Sequence, residues 1–181
     1  MRLLNGKLKG KKLATCNVQS IRPAMALVRK SIFDSLGSFV QDADILDLCA
    51  GTGILGIEAL SRGAKSLTVV DSSRYAIKLI LKNLNLCGLK AKVIQDELPK
   101  TLNKKFFEDK KYDLIFLDPP YGNEDFVKET LLIIAKKSLL KEDGFILIET
   151  EKRADYEIPE EYKLKNEKIY GNTKVRFLKG V

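Results

Sequence analysis

The stretch from Ile45 to Gly56, ILDLCAGTGILG, constrains the fold more than any other part of the chain. Apolar residues flank Asp47 in the pattern of a short buried strand, and three glycines then crowd the turn before an apolar, helix-like run. Because glycine has no Cβ and accepts positive φ, the backbone at Gly51 and Gly53 can turn sharply and let a ligand approach its peptide groups. The stretch therefore predicts a strand, a glycine turn and a helix, with a nucleotide-like cofactor lying across the turn.

The length of the chain predicts one domain. In its 181 residues we take 1–37 as a basic extension and 38–181 as the cofactor-binding and catalytic core. A chain of this size can bury enough surface to fold without a disulfide or a partner. No run of about 18 apolar residues is available to span a bilayer, and the amino terminus lacks the apolar segment of a signal peptide. We therefore expect a cytoplasmic monomer without membrane contact.

The residue types that are missing limit the chemistry. The chain contains no histidine, which removes the commonest neutral-pH base, the histidine-activated nucleophiles and most transition-metal sites. Its three cysteines, Cys16, Cys49 and Cys87, are widely separated and lack the paired spacing of a zinc or redox motif. We predict reduced cysteines, no metal, and chemistry that depends on carboxylates, backbone groups or a cofactor.

The positive charge is concentrated near the amino terminus. Residues 1–33 contain eight basic side chains and no acid, whereas the rest of the chain holds 24 of each sign, so the whole net charge of +8 lies in this stretch. Such segregation favours a phosphate-binding patch for a polyanion, although a solvated basic arm is the alternative. The predicted contact residues are Lys7, Lys9, Lys11, Lys12, Arg22 and Arg29.

Apolar spacing and turn residues predict the remaining elements. The segment 2–13 favours a short hairpin, and an amphipathic helix runs from Ala24 until Gly37, with Met25 on its apolar stripe and Arg29 off it. Asp143-Gly144 is a predicted turn. The other predicted elements are strands at 67–70, 91–94, 112–117 and 145–148, helices at about 74–87 and 126–140, and a hairpin formed by 162–169 and 173–178.

Acidic residues follow two of the predicted strands. Asp71 ends the second strand, where its carboxylate can accept hydrogen bonds from both ribose hydroxyls of a nucleoside; a helix cap is the alternative, and Ser72 also suits that role. Asp96 follows the third strand and can accept from an adenine amino group, or else cap the next turn. The predicted cofactor-binding residues are Asp47, Cys49, Gly51, Gly53, Asp71, Ser72, Asp96 and Glu97.

The fourth strand runs directly into Asp118-Pro119-Pro120-Tyr121. Two prolines cannot continue a central strand, so the chain leaves the sheet there in a stiff path, at the edge where open α/β sheets bind ligands. Asp118 and the Pro119 carbonyl can accept the two N–H groups of a planar amine on whose ring Tyr121 stacks. We predict that these four residues are catalytic; a turn that only closes a strand is the alternative.

Taken in order, the Asp47–Gly53 loop, Asp71, Asp96 and the Asp-Pro-Pro-Tyr loop resemble class I S-adenosylmethionine-dependent methyltransferases that methylate amines. RLLNGKLKGKKL, GIEALSRGA and YGNTKVRFL further resemble bacterial 16S ribosomal RNA guanine-N2 methyltransferases of the RsmD type. The resemblance implies a doubly wound, Rossmann-like α/β fold whose seven-stranded, mostly parallel sheet ends in an antiparallel hairpin. It also implies S-adenosylmethionine as methyl donor, a guanine N2 amine as acceptor, and 16S ribosomal RNA or a partly assembled small subunit as partner.

Two other functions fit parts of the sequence. DNA adenine-N6 and cytosine-N4 methyltransferases also carry an Asp-Pro-Pro-Tyr loop, but they need a region that reads the duplex, and we find no spare domain for one. The Gly51-x-Gly53-x-x-Gly56 spacing with Asp71 also satisfies the dinucleotide fingerprint of a NAD-binding dehydrogenase or regulatory module. That alternative leaves the Asp-Pro-Pro-Tyr loop unexplained.

Overall fold

A seven-stranded sheet forms the centre of the computed structural model, which describes residues 1–15, 23–120 and 122–181. The strands are β1 Asp44–Leu48, β2 Ser66–Asp71, β3 Lys92–Gln95, β4 Tyr112–Leu117, β5 Leu140–Glu151, β6 Tyr162–Tyr170 and β7 Thr173–Gly180. Their order is β3-β2-β1-β4-β5-β7-β6; the first five are parallel, and β7 runs antiparallel to β5 and β6. This confirms the predicted fold class with its antiparallel hairpin.

Helices cover both faces of the sheet. They are α1 Pro23–Leu36, α2 Ile54–Ser61, α3 Arg74–Cys87 and α4 Glu124–Lys136. Strand residues alternate between the faces, so that Ile45 packs in the core shared with α1, α2 and α3, whereas Leu46 packs in the core shared with α4. Within the described ranges, no helix combines the length and the apolarity needed to cross a membrane.

Local chemistry sets the helix ends that the sequence predicts. The Ser73 hydroxyl accepts a hydrogen bond from the Ala76 amide at 3.3 Å and caps the start of α3. Gly88 follows the end of α3 with φ of 64°, and Gly37 follows α1 with φ of 53°, a backbone conformation that glycine adopts without strain. The predicted ends of these two helices are confirmed.

The connection between α4 and β5 differs from the prediction. Ser138, at φ of 50°, interrupts the apolar periodicity, so α4 ends at Lys136 and Leu140 already belongs to β5. Asp143 and Gly144 lie within β5 instead of forming a separate turn, because a register shift against β4 absorbs the extra residues. Periodicity alone could not show this change of backbone direction.

Residues 1–15, here called the N-terminal segment, fold back on themselves and dock on α2. A single antiparallel bridge joins Arg2 to Lys12, and Leu3 and Leu13 are buried. Gly6 lies so close to α2 that a Cβ on it would stand 1.9 Å from the Ser61 carbonyl oxygen. The predicted hairpin is therefore a loop closed by one bridge and fixed against the core.

Candidate active site

The glycine loop, residues 49–53, connects β1 to α2 through a series of left-handed backbone conformations. Cys49, Gly51 and Gly53 have φ of 59°, 55° and 72°. Burial raises the pKa of the Cys49 thiol to about 12, so this thiol stays neutral at ordinary pH. The predicted sequence of strand, glycine turn and helix is present at this position.

Asn83 of α3 joins the glycine loop to the N-terminal segment. Its side-chain oxygen accepts from the Ala14 amide at 2.8 Å, and its side-chain nitrogen donates to the carbonyls of Ala14 and Thr52 at 3.2 and 3.0 Å. The side chain is fully buried. One amide thus holds two segments that are remote in sequence.

Asp71 lies at the end of β2, beside the glycine loop. The Gly51 amide donates to one carboxylate oxygen at 2.8 Å, and the Ser73 amide donates to the other at 2.8 Å. A carboxylate oxygen has two lone pairs, so each keeps capacity for a ligand hydroxyl. Asp71 both orders the loop and borders the neighbouring pocket; its predicted contact with a ribose stays a prediction.

Asp47 is a buried acid, and only one of its two carboxyl oxygens accepts a hydrogen bond within the described residues. The Gly56 amide donates to Oδ2 at 3.0 Å, whereas Oδ1 has no hydrogen-bond partner among the described residues. Burial raises the pKa of Asp47 from 3.8 to about 7. Its side chain lines a pocket, where the free oxygen suits a hydrogen-bond donor or a cation.

Asp118 begins the proline loop at the end of β4. Its amide donates to the Leu48 carbonyl of β1 at 3.3 Å, which holds the start of this loop beside the glycine loop. Burial, followed by the charges of Glu149 and Asp47, raises the pKa of Asp118 well above its usual range. Pro119 is buried and Pro120 is exposed. Tyr121, the fourth predicted catalytic residue, lies outside the described residues.

Two pockets meet at Gly51 and Asp118. The first, here called the α1 pocket, has a volume of about 420 Å³ and lies between the N-terminal segment, α1 and the glycine loop. The second, here called the β2 pocket, has a volume of about 520 Å³ and extends from the glycine loop past the end of β2 to the proline loop. It is lined in part by Cys49, Asp71, Ser72, Glu97, Leu98 and Phe126. The two pockets bring together most of the predicted site residues.

Asp96 is turned away from the β2 pocket. Its carboxylate accepts hydrogen bonds from the Glu97 amide, the Thr101 hydroxyl and the Lys104 ammonium. The bond from Lys104, with the others, holds the pKa of Asp96 below its usual range. The geometry therefore favours the turn-capping alternative for Asp96, and places Glu97 and Leu98 at the pocket instead.

The basic residues divide into two groups. Lys7, Lys9, Lys11 and Lys12 are exposed, and none forms an ion pair within the part of the chain that the structure describes. Arg29 is different, because only 4% of it is exposed.

The Arg29 guanidinium donates to the Arg2 carbonyl at 2.8 Å and lies 3.7 Å from the Glu58 carboxylate. The prediction that Arg29 lies off the apolar stripe of α1 does not make it exposed, because Glu58, which is fully buried on α2, pairs with it. The predicted contact of Arg29 with RNA stays a prediction. Met25, predicted on the buried stripe, is instead 49% exposed at the rim of the α1 pocket. Arg22 lies outside the described residues.

Sequence reasoning missed Glu149. This acid follows the buried run 145–148 in the same way that Asp71 follows the second strand, so the same signal was available. Its proximity to Asp118 depends on the register of β5 against β4, which a single sequence does not show. Burial raises the pKa of Glu149.

The sheet order, the glycine loop with an acid after β2, and the Asp-Pro-Pro loop after β4 together define a class I methyltransferase. Solved structures agree. A candidate methyltransferase from Escherichia coli superposes with a TM-score of 0.87 at 28% identity, over 99% of this chain and 97% of that chain. A more distant candidate methyltransferase, solved with S-adenosylhomocysteine bound, is 18% identical over 88% of this chain and 50% of that chain, and shares the fold with a TM-score of 0.69.

The family model described as Conserved hypothetical protein 95 matches residues 1–179, and the chain belongs to that family. Ribosomal RNA small subunit methyltransferase D of Buchnera aphidicola is 32% identical over 92% of this chain and 86% of its own length. A candidate rRNA methyltransferase of Bacillus subtilis is 35% identical over 99% of this chain and 98% of its own length. The family resemblance read from the sequence is confirmed.

Proposed function

We propose that the protein transfers a methyl group from S-adenosylmethionine to the N2 amine of a guanine in small-subunit ribosomal RNA. The observation that carries this proposal is the position of Asp118 and Pro119, which form one wall of the pocket that begins at the glycine loop and Asp71. Relatives named small subunit ribosomal RNA methyltransferase D support the choice of RNA.

The residues of the two pockets fit S-adenosylmethionine. Asp71 can accept hydrogen bonds from the ribose hydroxyls, and Leu98 and Phe126 offer apolar surface to the adenine. The Asp47 oxygen that lacks a partner among the described residues can accept from the ammonium of the methionine part. When bound, this cofactor supplies an electrophilic methyl group on a positively charged sulfur.

The proline loop supplies what the acceptor needs. A guanine N2 amine is a weak nucleophile because its lone pair is delocalised into the ring. Asp118 and the Pro119 carbonyl can accept its two N–H bonds, which fixes its direction and favours tetrahedral geometry at the nitrogen. Positive charge that develops on this nitrogen is stabilised by the Asp118 carboxylate. Tyr121 is proposed to stack on the base once it has left its own stack.

The N-terminal segment supplies the RNA contact. Its four exposed lysines, Lys7, Lys9, Lys11 and Lys12, belong to the same docked segment whose first residues border the α1 pocket. Lysines held in this way can follow a phosphate backbone while a single base reaches the site. We propose a cytoplasmic monomer that acts on 16S ribosomal RNA, free or partly assembled.

The test is methyl transfer with labelled S-adenosylmethionine and unmodified small-subunit RNA, with and without ribosomal proteins, followed by nucleoside analysis. We expect label in N2-methylguanosine, loss of label with Asp118→Asn, and normal label with Asp109→Asn, which changes an exposed loop acid in the same way. Label in DNA bases, or binding of NAD in place of S-adenosylmethionine, would contradict the proposal.

A further inference from the structure

Glu149 is an acid that the proposed reaction does not use. Leu117 of β4 pairs with Ile148 of β5 in parallel register, so the next residues are neighbours: Asp118 directly follows β4, and Glu149 lies near the carboxyl end of β5. Residues two positions earlier, Phe116 and Leu147, belong to the core on the side of α1. Because strand side chains alternate, Asp118 and Glu149 are directed to that same side.

Asp47 extends this pair into a row of three carboxyl groups. In β1 it lies opposite Phe116 of β4, two positions before Asp118, and Ile45 places it on the α1 side of the sheet. It contributes to the α1 pocket together with Asp118, and one of its oxygens lacks a partner among the described residues. Two members of the row, Asp47 and Asp118, therefore border a cavity, and Asp47 retains unused hydrogen-bonding capacity there.

Within the described ranges, no basic side chain forms an ion pair with any of these three carboxyl groups. Lys174 and Arg176 of β7 flank the residue opposite Glu149, but their side chains bond to the Ala154 carbonyl and to Glu167. Arg29, which also lines the α1 pocket, bonds to the Arg2 carbonyl and pairs with Glu58.

The charge of the three carboxyl groups also depends on whether the nearby thiol is ionised and whether a metal ion is shared among them. Cys49, the first residue of the glycine loop, lies close enough to Asp118 to feel its charge and stays neutral. In the described part of the chain, no three acidic or cysteine side chains are placed to share a metal ion. The row is thus balanced by protons when no ligand is bound, since two adjacent, partly buried carboxylates cannot both ionise readily.

We propose that Glu149 is the proton partner of Asp118 and receives, through Asp118, the proton that the target amine loses. This rests on the proposed function. In that reaction the S–CH3 bond of the sulfonium breaks as the N–CH3 bond forms, which leaves a neutral thioether and a positively charged amine. The amine proton passes to Asp118, the pair that held one proton then holds two, and one proton leaves to solvent. Glu149 acts through Asp118 and is a positioning residue.

The test is the pH dependence of methyl transfer by Glu149→Gln. Because the variant lacks the acid that raises the pKa of Asp118, we expect the acid limb of kcat/KM to move to lower pH by about one unit. Asp118 alone is a weaker base, so we expect kcat to fall roughly tenfold. Glu142→Gln, the same change at an exposed position of β5, is expected to keep the parent profile.

A second variant shows whether the effect comes from the loss of the carboxyl group at position 149. Glu149→Asp keeps a carboxyl group and is expected to give an acid limb close to that of the parent. Glu149→Ala, which also lacks the acid, replaces the Gln variant if that variant does not fold. A Glu149→Gln enzyme with the parent kcat and pH profile would overturn the inference.

If the folded parent transfers no methyl group to ribosomal RNA, the proposed function fails, and binding of S-adenosylmethionine then tests the pair alone. The sulfonium charge favours ionised carboxyl groups, so calorimetry in two buffers of different ionisation enthalpy should show proton release from the parent. Release by Glu149→Gln is expected to be smaller. Equal release from both proteins would overturn the inference.

Discussion

Gly56 of α2 has no Cβ, which lets this helix pack closely against the sheet. A Cβ at this position would stand 2.6 Å from the Leu67 side chain and 3.0 Å from the Asp47 carboxylate. We expect Gly56→Ala to lower the free energy of unfolding by about 1–3 kcal/mol, as overpacked cores do. Urea denaturation measures the change, with Gly180→Ala as control, because no atom lies within 4 Å of a Cβ there. Equal stability of the two variants would contradict the packing argument.

Asp71 orders the glycine loop and is proposed to hold a ribose. Replacement by Ala removes the carboxylate that accepts hydrogen bonds from the Gly51 and Ser73 amides and, as proposed, from the ribose hydroxyls. We expect Asp71→Ala to weaken S-adenosylmethionine binding at least tenfold, since a lost charged hydrogen bond costs about 1.5–3 kcal/mol. Calorimetry with Asp155→Ala, an exposed acid, as control gives the comparison; an unchanged Kd would refute the contact.

Residue roles were predictable from the sequence where they depend on neighbours along the chain. The positive φ of Gly51 and Gly53 and the place of Asp71 after β2 follow from local spacing. The turn of Asp96 toward Lys104 depends on a side-chain rotation that spacing does not determine. The burial of Arg29 required knowledge of the acid across the helix interface.

At the scale of elements, the N-terminal segment is attached to α2 mainly through Glu58. The amides of Leu4 and Asn5 donate to its two carboxylate oxygens at 2.8 and 2.9 Å, and Arg62 donates at 3.1 Å. Since the carboxylate is fully buried beside Arg29, its charge balances a cation that is almost entirely buried.

We expect Glu58→Gln to destabilise the fold by about 3–5 kcal/mol, the cost of leaving a buried charge unpaired. The segment should also loosen, so the amides of Leu4 and Asn5 should exchange faster with deuterium than in the parent. Glu129→Gln, at an exposed position of α4, is the matched control. Protection of both amides that equals that of the parent would show that other contacts suffice.

Element types followed from the sequence more securely than their ends. Strand β4 ends in the continuous apolar run Leu114–Leu117, and its predicted bounds match. The β5 bulge was not predictable, because it depends on how Leu140 and Phe145 pair with a strand that is distant in sequence.

At the scale of the whole molecule, the raised pKa values of Asp47, Asp118 and Glu149 make the free energy of unfolding depend on pH. With Asp47 at about 7 instead of 3.8, the folded chain retains a proton that the unfolded chain releases above about pH 4. The free energy of unfolding therefore falls as pH rises from about 4 to about 7, and Asp118 and Glu149 act in the same direction. Asp47→Asn should show a smaller fall in denaturation midpoint across this window. A fall as large as that of the parent would contradict the assignment.

The charge asymmetry of the molecule predicts how RNA binding responds to salt. Replacing Lys7, Lys9, Lys11 and Lys12 by Gln should lower the slope of log K against log salt by about three, at roughly 0.7 per phosphate contact with single strands. The control replaces four exposed lysines elsewhere, Lys78, Lys82, Lys136 and Lys163. Equal slopes for the two variants would indicate that the N-terminal segment is a solvated basic arm and does not bind the phosphates.

The side-chain amide of Asn83 connects two parts of the protein that are proposed to bind different ligands. It holds the N-terminal segment at Ala14 and the glycine loop at Thr52, so a ligand that orders either one favours the bonded arrangement of the other. If RNA binds the segment and the methyl donor binds the loop as proposed, the two should bind with positive cooperativity, and each should improve the affinity of the other by the same factor. The protein would thus recognise its two substrates jointly.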